Sequence, residues 1–251
     1  MRPSRSIFID KKSKNGILMI HGFTSTSSQF DELSKYFAGK GFNVSAPLVA
    51  GHGTSPMDLR NTTPKDWVES VKEAYLELKE KSENIFIIGN SFGSNLGLWL
   101  VKEFNNEQAG IITLGAPIIL KNHYFSIFRL YTYGLFRKYY RKPLRFYKTD
   151  YTDMSDEITY SVIPVKSMRE FVSFVRKETV PNLGKIKIPA FVAHSEADPV
   201  VHPKSAAFIY EHLGSDFKKI FWFEDECHVL IAGEKKKELF EKIYNFIKEI
   251  E

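Results

Sequence analysis

Short apolar runs alternate along this chain with longer stretches whose apolar residues recur every three or four positions. Residues 17–20 (ILMI), 85–88 (IFII), 110–114 (GIITL), 190–194 (AFVAH) and 219–223 (KIFWF) are apolar runs bounded by polar or turn residues. Runs of this length read as strands buried on both faces. Residues 42–46 (FNVSA) read as a further strand. Helices are predicted near 28–39, from Thr63-Pro64 to about Lys81, over 96–104, over 205–213 and over 234–250. In the second of these, Trp67, Val71, Ala74, Tyr75 and Leu78 share one face. Strand and helix alternate along nearly the whole chain. That pattern predicts an α/β fold with a mostly parallel central sheet flanked by helices.

The rhythm breaks between Ile118 and Lys187. This segment is rich in aromatic and basic side chains (His123, Tyr124, Phe125, Phe128, Arg129, Tyr131, Tyr133, Phe136, Arg137, Lys138, Tyr139, Tyr140, Arg141, Lys142, Arg145), and no acidic residue occurs from Lys121 to Thr149. A structureless loop of that length is improbable inside a compact domain. The expected organisation is a core of residues 1–117 and 188–251, with residues 118–187 inserted as a small cap, or lid, over the sheet edge. At 251 residues no second independent domain is required.

The net charge of +5 is mild for this length. Lysine and glutamate interleave on the predicted helices, as in 235–238, and read as solvated faces. No nucleic-acid-binding module is present, so no nucleic-acid partner is expected. The N-terminal segment lacks the apolar stretch of a secretory signal. No run approaches the roughly 18 apolar residues of a membrane span. Cys227 is the single cysteine, so no intramolecular disulfide forms. A cytoplasmic location is the default expectation.

The chemistry concentrates in Gly89-Asn90-Ser91-Phe92-Gly93, between the strand 85–88 and the helix that follows. Strand, sharp turn and helix with serine at the apex make a nucleophile elbow, and the two glycines relieve its crowding. A serine hydroxyl is a weak nucleophile at neutral pH. It needs a histidine base, and the histidine needs a carboxylate to fix its tautomer. In this architecture the chain order is serine, acid, histidine, each past a strand end. Asp198 follows the strand 190–194 and His228 follows the strand 219–223. Glu196 and Asp225 compete for the acid role; Asp198 is favoured because Pro199 and Val200 fix its turn. For the base, His202, His194, His212, His123 and His52 compete. Cys227 reads as a packed thiol.

Acyl transfer also needs two backbone N–H groups aimed at the developing oxyanion. The residue after the nucleophile, Phe92, offers one. The loop His21-Gly22-Phe23-Thr24, after the strand 17–20, offers Phe23 as the other. Phe23 and Phe92 are therefore the expected oxyanion donors and substrate contacts. His21 reads as a structural hydrogen-bonding histidine, and Gly51-His52-Gly53 as a tight turn near the site mouth.

His21-Gly22-Phe23, Gly51-His52-Gly53, Gly89-Asn90-Ser91-Phe92-Gly93, Asp198-Pro199-Val200-Val201 and His228 together resemble the α/β-hydrolase superfamily, from about residue 17 to the C-terminus. Within it the chain looks most like the compact bacterial carboxylesterases and monoacylglycerol lipases. The resemblance implies an α/β-hydrolase fold with a small cap. It also implies ester hydrolysis through an acyl-serine, without metal or cofactor, and leaves the substrate open; the leading expectation is short- to medium-chain acyl esters such as monoacylglycerols. Three rivals stay open: a cinnamoyl or feruloyl esterase, a non-hydrolytic ligand-binding protein on the same fold, and a peptidase or thioesterase. The cap's apolar side chains suit an acyl pocket. Its arginines and lysines suit either water or transient contact with an anionic lipid surface. Asp153, Asp156 and Glu157 suit either a glycerol-like alcohol or a solvated loop. Nothing in the sequence specifies an oligomeric state.

Overall fold

The computed structural model describes residues 5–121, 130–132, 136–142, 159–224 and 228–251. Sequence expectations resting on His123, Tyr124, Phe125, Phe128, Arg129, Tyr133, Arg145, Asp153, Asp156, Glu157, Asp225 and Cys227 lie outside those residues. In chain order the main elements are β1 (Ile7–Ile9), β2 (Asn15–Ile20), α1 (Asp31–Gly39), β3 (Asn43–Ala46), α2 (Pro56–Asn61), α3 (Pro64–Lys79), β4 (Asn84–Asn90), α4 (Phe92–Glu103) and β5 (Gly110–Leu114). There follow β6 (Tyr139–Arg141), β7 (Val162–Pro164), α5 (Val165–Phe174), β8 (Ala190–Ser195), α6 (Lys204–His212), β9 (Lys218–Phe223) and α7 (Lys236–Ile250).

Seven strands form one sheet in the order β1-β3-β2-β4-β5-β8-β9. All its pairings are parallel except β1 with β3. The predicted mostly parallel sheet is therefore present, and every strand read from the sequence is in it. Because successive strand residues point to opposite faces, each central strand feeds two cores. Leu18, Ile20, Ile85, Ile87, Ile111 and Val192 face α3, α4, α5 and α6. Ile17, Met19, Phe86, Ile88, Ile112 and Phe191 face α1 and α7. Burial on both faces explains why these strands read as continuous apolar runs rather than as alternating ones.

Three elements depart from the sequence reading. Edge strand β1 is short and only half-buried, and its pattern was too weak to register. Helix α2 is a six-residue turn capped by the Ser55 hydroxyl, with Pro56 at its first position. Helix α4 starts at Phe92, four residues before the predicted start, because the serine turn passes straight into it. Between β5 and β8, β6 and β7 pair antiparallel as a separate two-stranded ribbon. Helix α5 runs on into a π turn, Val175–Thr179, and a 3-10 turn, Val180–Lys185. Among the described residues no helix is long and apolar enough to cross a membrane.

Candidate active site

Ser91 stands at the carboxyl end of β4, immediately before α4. Its backbone angles, φ 52° and ψ −124°, lie in a region that non-glycine residues rarely occupy. The Ser91 amide donates to Leu114 O at 2.7 Å, and Ser94 N–H returns a bond to Ser91 O at 2.9 Å. The flanking glycines are sterically obligatory. A Cβ on Gly89 would lie 2.4 Å from Ser94 Cα, and one on Gly93 would lie 1.9 Å from Ile20 O. The turn can therefore exist only where helix and strands approach without side chains between them.

Asp198 and His228 reach Ser91 from the carboxyl ends of β8 and β9. Ser91 Oγ lies 2.9 Å from His228 Nε2, and His228 Nδ1 lies 2.7 Å from Asp198 Oδ2. With Nδ1–H donating to the carboxylate, Nε2 is the acceptor for the serine hydroxyl. Asp198 is buried, and its other oxygen accepts Val200 N–H at 2.7 Å and Val201 N–H at 2.9 Å. Burial by itself would raise the Asp198 carboxyl. The neighbouring His228 and His194 and the Val201 amide outweigh it and hold the carboxyl below its ordinary value. The three side chains form one hydrogen-bonded row. A hydroxyl so placed can pass its proton to the imidazole as it attacks an electrophile.

The loop after β2 is braced from several sides. His21 donates from Nδ1 to Gly22 O at 2.9 Å and accepts Val49 N–H at Nε2 at 3.1 Å. Both ring nitrogens are thus used by backbone, as expected of a structural histidine, and burial pushes its pKa down to about 4. Gln29 Oε1 accepts Gly22 N–H at 3.3 Å and Asn90 Nδ2–H at 3.1 Å, which ties the loop to the residue beside the nucleophile. Gly51 and Gly53 both take positive φ, and His52 sits buried between them with its Nδ1 donating to Ala50 O at 3.1 Å. Burial, with His21 alongside, lowers His52 to about 3, so it stays neutral.

Residues 11–236 match the model of the Hydrolase_4 family, described as serine aminopeptidase, S33. The chain belongs to this family. It is 25% identical over 245 residues to a carboxylesterase of Bacillus subtilis (strain 168), covering 97% of this chain and 96% of that one. It is 29% identical over 235 residues to a thermostable monoacylglycerol lipase of Bacillus sp. (strain H-257), covering 92% of this chain and 89% of that one. A solved structure of a metagenome-derived lipolytic enzyme superposes with TM-score 0.89 at 26% identity, covering 99% of both chains.

In this Hydrolase_4 chain a cluster of aromatic rings is built around Phe92, the residue after the serine. Phe23 stacks on Phe171 of α5, centroids 5.3 Å apart and planes 24° apart, and meets Trp67 of α3 and Phe92 edge-on, each at 5.8 Å. Phe92 also packs against Phe171 and Phe174, and its ring is 1% exposed. The Phe23 ring is only partly buried.

The rival residues fall elsewhere in this Hydrolase_4 fold. Glu196 is exposed. His202 Nδ1 accepts Lys204 N–H, and His212 stacks on Phe208 in α6. His194 is nearer: it is fully buried, with Nε2 3.4 Å from Asp198 Oδ2, on the carboxylate that faces His228. His194, a rival for the base, lies behind the acid and not beside the serine. Gln29, which ties Gly22 to Asn90, carries no signal in the sequence. Polar side chains that act through backbone leave no spacing signature.

Proposed function

We propose that this protein is a serine ester hydrolase of the carboxylesterase and monoacylglycerol lipase type, cleaving short- to medium-chain acyl esters, monoacylglycerols among them, through an acyl-serine intermediate. The observation that carries the reading is the Ser91–His228–Asp198 row, with both of its hydrogen bonds at 2.9 Å or less. In this reading Ser91 is the nucleophile. His228 takes its proton on attack and delivers it to the leaving alcohol. Asp198 holds the imidazole in the tautomer that accepts at Nε2 and stabilises its cation. The Phe23 and Phe92 amides receive the oxyanion, the second aided by the N-terminus of α4. Water then repeats the sequence on the acyl-serine and releases the acid. The names of the two Bacillus relatives and of the lipolytic structure support carboxylic esters as substrates.

The segment 118–187 acts as a cap in this reading. Phe171 and Phe174 of α5 lie against Phe23 and Phe92, and that contact supports an apolar acyl pocket between cap and core. Phe136 is 89% exposed, beside exposed Arg137 and Lys138, and this supports transient contact with an anionic lipid surface. A cytoplasmic location in this reading rests on the single cysteine. A second reading, hydrolysis of aromatic acid esters, is favoured by one observation: the stacked Phe23–Phe171 pair, which suits a planar acyl group.

A panel of p-nitrophenyl esters and monoacylglycerols of increasing chain length, run beside feruloyl and cinnamoyl esters, tests both. Highest kcat/KM on aliphatic esters, with no turnover by Ser91→Ala, is expected. Preference for phenolic acid esters selects the second reading, and full activity in Ser91→Ala removes both.

A further inference from the structure

One half-buried lysine in this fold has no part in the chemistry just described. Lys142, just past β6, places its Nζ 2.5 Å from Thr24 Oγ1 and 2.6 Å from Thr159 Oγ1. Its own amide donates to Ser161 O at 3.1 Å, so the residue is fixed at both ends. Among the described residues no carboxylate pairs with it. A partly buried ammonium held by two neutral hydroxyls loses more hydration than an apolar side chain in the same place would. Burial pushes Lys142 down to about 7, far below an ordinary lysine.

Its partner Thr24 is the residue after Phe23 and takes φ 65°, a strained setting for a β-branched side chain. Strain of this kind persists only where the surroundings hold it. Here the Thr24 hydroxyl donates to Phe23 O at 2.5 Å while accepting from Lys142, and Tyr160 N–H donates to Thr24 O at 3.0 Å. Tyr160 in turn uses its hydroxyl to hold Gly51 O at 3.0 Å and accepts Thr54 N–H at 2.9 Å. Residues flanking the β6–β7 ribbon thereby hold both the Phe23–Thr24 loop and the Gly51–Thr54 turn. The chain of bonds from the Lys142 ammonium ends on the carbonyl of Phe23, the residue whose amide is read above as an oxyanion donor.

We propose that Lys142 is a positioning residue for the oxyanion loop: through the Thr24 hydroxyl it locks the Phe23–Thr24 peptide, so that the loop is set for catalysis only while the β6–β7 ribbon is seated. The proposal rests on the serine-hydrolase reading for the role of Phe23, and it adds a regulation that reading does not contain. Displacing the ribbon releases Thr24 and loosens the loop, whereas the Ser91–His228–Asp198 row, built on other elements, stays in place.

The test is a double-mutant cycle with Lys142→Met and Thr24→Val, beside Thr24→Ser. Each is followed by kcat and KM on p-nitrophenyl butyrate, by the second-order rate of Ser91 phosphonylation with a fluorophosphonate, and by thermal unfolding. K142M and T24V are each expected to lower kcat and the labelling rate about tenfold, with KM within about threefold, a partial loss beside the roughly 10²–10³ for removing an oxyanion donor outright. The double variant is expected to fall no lower than the worse single, since both cut the same link. T24S keeps the hydroxyl and is expected to restore kcat. If K142M does not fold, Lys142→Gln takes its place in the cycle. Phosphonylation reads the loop even if wild-type ester turnover is absent, so the esterase reading and the positioning role of Lys142 fail separately. Wild-type kcat and labelling rate in the Lys142 variant, losses that multiply in the double variant, or a loss in T24S equal to that in T24V would overturn the proposal.

Discussion

His194 Nε2 lies 3.4 Å from Asp198 Oδ2, the same oxygen that receives His228 Nδ1–H at 2.7 Å. Two imidazoles therefore share one carboxylate oxygen, the nearer facing the serine and the farther fully buried. Nε2 of His194 also lies 3.4 Å from Val201 O, so that nitrogen carries the proton. Asp198 keeps its two backbone donors and His228 when His194 is removed. Activity of His194→Leu is expected to fall about tenfold, the worth of one modest hydrogen bond to a charged group. Asp198→Asn, by contrast, is expected to lose about 10⁴-fold, because the wrong His228 tautomer is then favoured. Parallel kcat/KM values on p-nitrophenyl butyrate check the contrast. Equal losses in the two would show that His194 is part of the proton path.

Acid should weaken the fold through His21 and His52. Burial sets their folded values near 4 and near 3, against about 6.5 in the unfolded chain. Between those limits the unfolded state binds more protons, so stability rises with pH there and falls as pH drops below about 6.5. Each such histidine adds about 1.4 kcal/mol per pH unit to that slope. His52→Gln, which retains a donor for Ala50 O, should flatten the dependence by about that amount. Urea unfolding at several pH values from about 4 to 7 checks it.

The elbow glycines should separate cleanly from an indifferent one. Gly93→Ala drives a Cβ to 1.9 Å from Ile20 O, backbone that cannot retreat without breaking β2, and is expected to yield no folded protein. Gly39→Ala, at the end of α1, meets nothing within 4 Å and should fold with stability equal to or slightly above wild type. Far-ultraviolet circular dichroism and thermal melts of both proteins decide this.

Phe171 closes the aromatic cluster against Phe23 and Phe92. Phe171→Ala should cost about 3–5 kcal/mol of stability by leaving a cavity. It should also shift the ester preference toward longer or bulkier acyl groups, because the ring that backs Phe23 is gone. A melt and the chain-length panel on the same preparation check both effects. An unchanged chain-length profile would place the acyl pocket elsewhere.

Most of the scaffold could be read from the chain because its signals are local. Strands 85–88 and 110–114 are apolar on both faces, Thr63, Pro64 and Asp66 write the start of α3 as a capping box, and Gly89 and Gly93 mark a turn only glycine permits. Ser91, Asp198 and His228 stand out as candidates because each follows a strand end, and the parallel sheet brings those ends to one edge. What escaped has no local signature. Helix α5 buries Val172 and Phe174 against the body through contacts distant in sequence. Gln29 bonds Asn90 across 61 residues, and Lys142 reaches Thr24 across 118. The aromatic and basic residues of the 118–187 segment set its composition apart, but composition did not reveal which lysine turns inward.

Rapid mixing of the protein with a p-nitrophenyl ester, followed by mass spectrometry of the quenched sample, tests the central claim most directly. The account predicts a burst of p-nitrophenol close to one per active site and an acyl adduct on the peptide that carries Ser91, with neither in Ser91→Ala. Turnover without any adduct, an adduct on another residue, or a burst that survives in Ser91→Ala would contradict it.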